Sequence, residues 1–115
     1  MMDNNGEVDI QAALAALKEG FVRKIPAKVD EIRQSWQQLK LTPEDPDIFH
    51  LLRRQAHSLA GTAATYGLEE AGRIAKAIEI TVQDDLTEDH TKWTTTAVDK
   101  VESLLVQLQS VAEAE

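Results

Sequence analysis

The side chains best suited to proton or group transfer in this sequence are its histidines, His50, His57 and His90. His50 and His57 lie two helical turns apart, whereas metal-binding pairs on a helix need a spacing of three or four residues. Neither has a carboxylate three or four residues further on, so we predict no metal site. His90 lies among polar residues beside a predicted loop and is interpreted as a surface residue. The absence of cysteine excludes a thiolate nucleophile and a thiolate zinc or iron–sulfur site.

His57 has the most unusual surroundings of the three. It lies away from the apolar stripe of its predicted helix and should be exposed. Arg53 and Arg54 precede it on the same face. The exposed positions that follow hold small residues, including a glycine that costs about 1 kcal/mol in a helix interior: Ala60, Gly61 and Ala64. This bare patch would let another protein approach the imidazole closely. Alternatively, Gly61 allows a close helix crossing inside the protein.

The segment from Ala56 to Gly67, AHSLAGTAATYG, resembles the phosphorylation motif of histidine-containing phosphotransfer (HPt) domains. The resemblance lies in a histidine, an aliphatic residue two positions on, and glycines four and ten positions on. It implies a four-helix bundle in which His57 accepts a phosphoryl group. Many members have lysine where this chain has Ala60. We expect that Arg53, Arg54 or Lys76 replaces its charge, and the sequence does not decide among them.

Glu79 matches a second feature of the family, an acidic or amide side chain on the following helix close to the histidine. Its position at the edge of an apolar stripe allows its carboxylate to reach across to the imidazole. There it would accept the Nδ1 proton and leave Nε2 free to attack. A solvated boundary glutamate is the alternative.

The elements that position these residues follow from apolar periodicity. The pattern predicts an all-α, up-down antiparallel four-helix bundle over 9–115, with a short additional N-terminal helix covering one end and a flexible lead-in at 1–8. The short helix carries Ile10, Leu14, Leu17 and Phe21, and Pro26 is placed in the first turn of the next helix. Gly67 is predicted to end the histidine helix as a left-handed cap. A continuous coiled coil is the alternative, but the loop around Pro43 and Gly67 interrupts it.

Composition limits the class of protein. The chain has 115 residues with 12 basic and 20 acidic side chains, a formal net charge of −8. Such an acidic chain is a poor nucleic-acid binder. No apolar run could span a membrane, no signal peptide is visible, and cysteine is absent, so we expect a cytoplasmic monomer.

Together these features predict a phosphorelay carrier that takes a phosphoryl group from a receiver-domain aspartate onto His57 and passes it to another receiver. The expected partners are a receiver domain, a sensor histidine kinase, or both. The residues expected to dock a receiver are Arg53, Arg54, Ala60, Gly61, Ala64 and Lys76. No cofactor is expected on this chain, and Mg²⁺ would lie on the receiver. Such a carrier is not itself an enzyme. The alternatives are a helical interaction module that has lost phosphotransfer, and an N-terminal regulatory module of a longer signalling protein.

Overall fold

Four helices make up the part of the chain that the computed structural model describes, which is the backbone of residues 2–85 and 95–114 and the side chains of 9–84 and 96–114. They are α1 (Met2–Leu41), α2 (Pro46–Thr65), α3 (Glu69–Asp85) and α4 (Thr95–Ala114). No strand occurs within these ranges. Three positions with predicted roles lie outside the described residues. They are His90, Trp93, predicted on the apolar stripe of the last helix, and Thr87, predicted in the cap region before that helix.

The helices form the four-helix bundle that the sequence predicts. Each helix packs against the helix next to it in sequence, and α4 closes the ring against α1. The core consists of one apolar stripe from each helix, and its largest fully buried side chains are Trp36, Ile25, Ile32, Leu39, Leu52, Ile74, Ile78, Leu108, Val29, Val82 and Val101. None of the described helices is long and apolar enough to cross a membrane.

The predicted break before Pro26 is wrong, because the expected short helix and the helix after it form the single helix α1. Pro26 lies inside it. An interior proline removes one backbone hydrogen bond and typically costs about 3 kcal/mol. Here Ile25 and Val29, on either side of Pro26, are both buried in the core. Tertiary packing therefore holds the helix together across a residue that is locally unfavourable.

The N-terminal part of α1 also does not cover an end of the bundle. At about 1.5 Å per residue a 40-residue helix is roughly 60 Å long, which matches the 63 Å long axis of the molecule. The side chains of Ile10, Leu14 and Leu17 are 62%, 55% and 57% exposed, and burial begins only at Phe21. The helical backbone extends through 2–8, so Asp9 does not mark the start of the helix.

The helix that carries His57 has well-defined ends. Asp45 caps its N-terminus by accepting hydrogen bonds from the backbone N–H groups of Asp47 at 2.9 Å and Ile48 at 3.4 Å. At its C-terminus Gly67 has a φ of 72°, as predicted for a left-handed cap. Leu68 then donates its backbone N–H to the carbonyl of Ala63 at 2.8 Å. This tight turn sends the chain straight back along α2 as α3.

Candidate functional site

The turn at Leu68 sets which residues of α2 and α3 face each other. His57 and Glu79 are 22 positions apart in sequence, and each lies the same distance from Leu68, about three helical turns. A whole number of turns returns both side chains to the faces that meet across the hairpin. The pairing thus follows from helix periodicity and the length of the turn.

A hydrogen bond joins His57 to Glu79. The Nδ1 atom of His57 lies 2.8 Å from Oε2 of Glu79. A carboxylate can only accept, so Nδ1 carries a proton, and in the neutral imidazole Nε2 keeps its lone pair. The histidine side chain is 69% exposed, whereas that of Glu79 is 7% exposed. A buried carboxylate therefore fixes the tautomer and the orientation of an imidazole that stands open to solvent.

Glu79 has a second partner on its own helix. Nζ of Lys76, one turn earlier, donates to Oε1 of Glu79 at 3.0 Å. Both carboxylate oxygens thus have a donor, which is what a buried charge requires. The lysine side chain is 54% exposed.

An open cavity of about 600 Å³ lies beside the imidazole, between α2 and α3. Its α2 side holds three of the small residues named from the sequence. Its α3 side holds a glutamate at the start of the helix, a glycine and two cationic side chains, and the turn between the helices supplies a second glycine. The lining residues are His57, Ala60, Gly61, Ala64, Gly67, Glu69, Gly72, Arg73 and Lys76.

The glycines on the two sides of this cavity have different roles. A Cβ added at Gly61 would meet no atom within 4 Å, so the alternative that Gly61 permits a close helix crossing is wrong. A Cβ added at Gly72 would lie 3.5 Å from the carbonyl oxygen of Ala60 and 3.6 Å from Cβ of Ala63. Both are ordinary van der Waals distances, so Gly72, unlike Gly61, lies at the contact between α3 and α2. Sequence analysis missed it, although its place opposite small residues of α2 was a usable signal.

Comparison with known protein families matches residues 9–112 to the Hpt domain. The chain belongs to the Hpt domain family. Hpt domains are phosphocarrier modules of two-component phosphorelays and interact with receiver domains and kinases. No curated protein and no solved structure matches this Hpt domain significantly.

The cationic residues predicted from the sequence do not all lie together in this Hpt domain. Lys76 lines the cavity beside His57. Arg53 is half-buried one turn before the histidine. Arg54 lines a different groove, toward α1, with Lys28 and Glu31.

Arg73 is the cation in the cavity that sequence analysis did not name. It forms an ion pair with Glu70 on the same helix. The hydrogen bond from Arg73, and then its charge, lower the pKa of the Glu70 carboxyl below its ordinary value. Arg73 therefore already has an acidic partner outside the cavity. Among the described side chains of this Hpt domain, no cluster could hold a metal ion.

Proposed function

We propose that this Hpt domain carries phosphoryl groups on His57, receiving them from the aspartyl phosphate of a receiver domain and passing them to another receiver. The observation that carries the proposal is the hydrogen bond from Nδ1 of the exposed His57 to the buried carboxylate of Glu79. A surface histidine with no function has no need of a buried acidic partner.

In the transfer step Nε2 of His57 attacks the phosphorus atom in line with the bond to the aspartate oxygen. The new N–P bond forms as the acyl P–O bond breaks, and the aspartate leaves as a carboxylate. The proton on Nδ1 stays there, so the ring becomes positively charged. Glu79, 2.8 Å from Nδ1, stabilises that charge. A Mg²⁺ ion bound by the receiver would supply further charge stabilisation to the phosphoryl group, and the carrier would turn over no substrate alone.

Ala60, Gly61 and Ala64 form the docking surface in this proposal, with Lys76 at its edge. An Asp side chain is short, so the receiver's backbone has to come close to Nε2. Small residues on α2 leave that room, and the space over Gly61 is open. Arg53, one turn before His57, would add positive charge for an acidic partner. Arg54 would contact a receiver only if its footprint extends toward α1.

The experiment that tests the function is incubation of the purified domain with radiolabelled, phosphorylated receiver domains from the same organism. We expect label to move from a receiver to this chain, and to be lost in His57→Gln. The matched control is His50→Gln, on the same helix, where His50 has a ring contact with Phe49. A chain that binds receivers but takes up no label would instead be an interaction module.

A further inference from the structure

Lys76 shares a carboxylate with the proposed nucleophile. One oxygen of Glu79 accepts from His57 Nδ1 at 2.8 Å, and the other accepts from Lys76 Nζ at 3.0 Å. The lysine is half-exposed and lines the cavity through which a phosphoryl donor would reach the imidazole. Its ammonium group therefore contacts the buried carboxylate of Glu79, and its side chain is also accessible from the cavity.

The charges of this cluster decide how it acts on a phosphoryl group. With a neutral imidazole, the negative charge of Glu79 is balanced by Lys76. Without the lysine, a buried carboxylate would face an anionic phosphoryl group across the imidazole ring, and their repulsion would oppose transfer. An ammonium group has three N–H donors. One holds Glu79, and the others remain free for phosphoryl oxygens.

Three other cations lie nearby, and each has a different position. Arg53, half-buried one turn before His57, is not among the residues that line the cavity. Arg73 lines the same cavity but pairs with Glu70, whereas Lys76 pairs with the carboxylate that also holds His57. Arg54 lies in the groove toward α1. On the α2 side of the cavity, the position one turn after His57 is the uncharged Ala60.

We propose that Lys76 has two effects on transfer at His57: it positions Glu79 against the imidazole, and its ammonium offsets the negative charge of the entering phosphoryl group. This inference rests on the proposed function of His57. It assigns the supporting cation to α3, across the cavity from the helix that carries the nucleophile.

The test uses phosphoramidate, a small donor that has no docking surface of its own. Nε2 forms a bond to phosphorus as the P–N bond of the donor breaks, and the nitrogen leaves as ammonia after taking a proton from water. We expect Lys76→Met to slow labelling of His57 by about tenfold or more, on the scale of one lost electrostatic contact. Lys76→Arg should recover part of the rate. Arg73→Met removes a cation from the same cavity and should stay within about twofold of the parent.

Moving the positive charge from position 76 to α2 tests the two proposed effects of Lys76, the positioning of Glu79 and the offset of phosphoryl charge, separately. In the double variant Ala60→Lys with Lys76→Met, a cation returns to the cavity but not to Glu79. Its labelling rate should exceed that of Lys76→Met alone. Nitrogen NMR of His57 should show a larger share of the Nε2–H tautomer in both variants than in the parent, because Glu79 is no longer held against the imidazole by its contact with Lys76. If Lys76 had a purely structural role, the tautomer of His57 would be the same in the variants and the parent. The added lysine at position 60 would then not raise the labelling rate.

The labelling rates distinguish a failure of the inference on Lys76 from a failure of the proposed function. If parent His57 is labelled and Lys76→Met is no slower than Arg73→Met, the inference on Lys76 is overturned and the proposed function stands. If parent His57 takes no label from phosphoramidate or from any receiver, the proposed function and this inference both fail. Thermal melting of each variant checks that the bundle is intact, which the exposure of Lys76 leads us to expect.

Discussion

Substitutions at Gly61 test whether this position belongs to a docking surface or to a packing contact between helices. A new Cβ at this position meets no atom within 4 Å, so a side chain there adds helix propensity without a clash. Gly61→Ala should stabilise the protein by about 1 kcal/mol, and Gly61→Glu by several tenths of a kcal/mol. For a chain of this size, 1 kcal/mol corresponds to roughly 4 °C in Tm.

Phosphoryl transfer should respond in the opposite direction. Residues one turn apart on a helix have Cβ atoms about 5–6 Å apart. At that distance the charge of Gly61→Glu opposes each unit of phosphoryl charge by about 0.7–3 kcal/mol, for an effective dielectric constant between about 80 and 20. This corresponds to roughly a 3- to 150-fold loss of rate. Gly61→Gln has the same bulk without the charge, so it measures the steric part.

The assays are thermal melting by circular dichroism and initial rates of transfer from a phosphorylated receiver. Gly72→Leu is the packing comparison, because a Cβ there would already contact the carbonyl oxygen of Ala60 at 3.5 Å and a larger side chain has to find room beside α2. A loss of about 1–3 kcal/mol in this variant is the size expected for overpacking. A Gly61→Glu protein that melts well below the parent would refute the open-surface geometry. One that melts normally and transfers at the parent rate would refute the docking role.

Three further predictions follow from contacts in the bundle. Glu79→Gln should slow labelling of His57 by about 10- to 100-fold, with a Tm close to that of the parent, because the amide oxygen can still accept one hydrogen bond; an unchanged rate would remove Glu79 from the mechanism. Leu14→Ala should cost well under 1 kcal/mol in a urea melt, whereas Leu52→Ala should cost about 2–5 kcal/mol, since Leu14 is 55% exposed and Leu52 is 0% exposed; equal losses would show that Leu14 is buried. The hydrogen bond from Lys40, 2.7 Å away, lowers the pKa of Glu102 below the ordinary 4.5. The contribution of this ion pair to stability is therefore present above about pH 4.5 and is lost as the pH falls through the lower pKa of the folded state. Glu102→Gln should be less stable than the parent by at most about 1 kcal/mol at pH 7, with no difference in acid, and a difference that grew in acid would contradict this sign.

Much of the site is contained in local sequence pattern. His57, its distance from the apolar stripe and the cap at Gly67 all follow from periodicity within one helix. The pairing with Glu79 follows from equal distances to the turn at Leu68. The two side chains meet because a tight hairpin of two regular helices leaves little freedom in which residues face each other.

The remaining features depend on tertiary packing. The sequence predicts a helix start at Pro26 because the free-energy cost of an interior proline is a local property of the chain. The burial of Ile25 and Val29, which offsets that cost, depends on the tertiary structure. The stripe at Ile10 and Leu14 has the same pattern as a core stripe, and only the length of α1 relative to the bundle exposes it. Arg54 is close to His57 in sequence. It is rotated by about 100° around the helix axis from Arg53, and this places it toward α1.

The most direct test of this account is the identity of the residue that carries phosphate. After incubation with phosphorylated receiver domains, we expect one phosphoryl group on this chain, labile in acid and stable in alkali, located by mass spectrometry at His57. His50→Gln should be labelled like the parent, and His57→Gln should remain unlabelled while melting at nearly the same temperature. Full labelling of His57→Gln, or an acid-stable label on another residue, would contradict the assignment of His57 as the phosphoryl carrier.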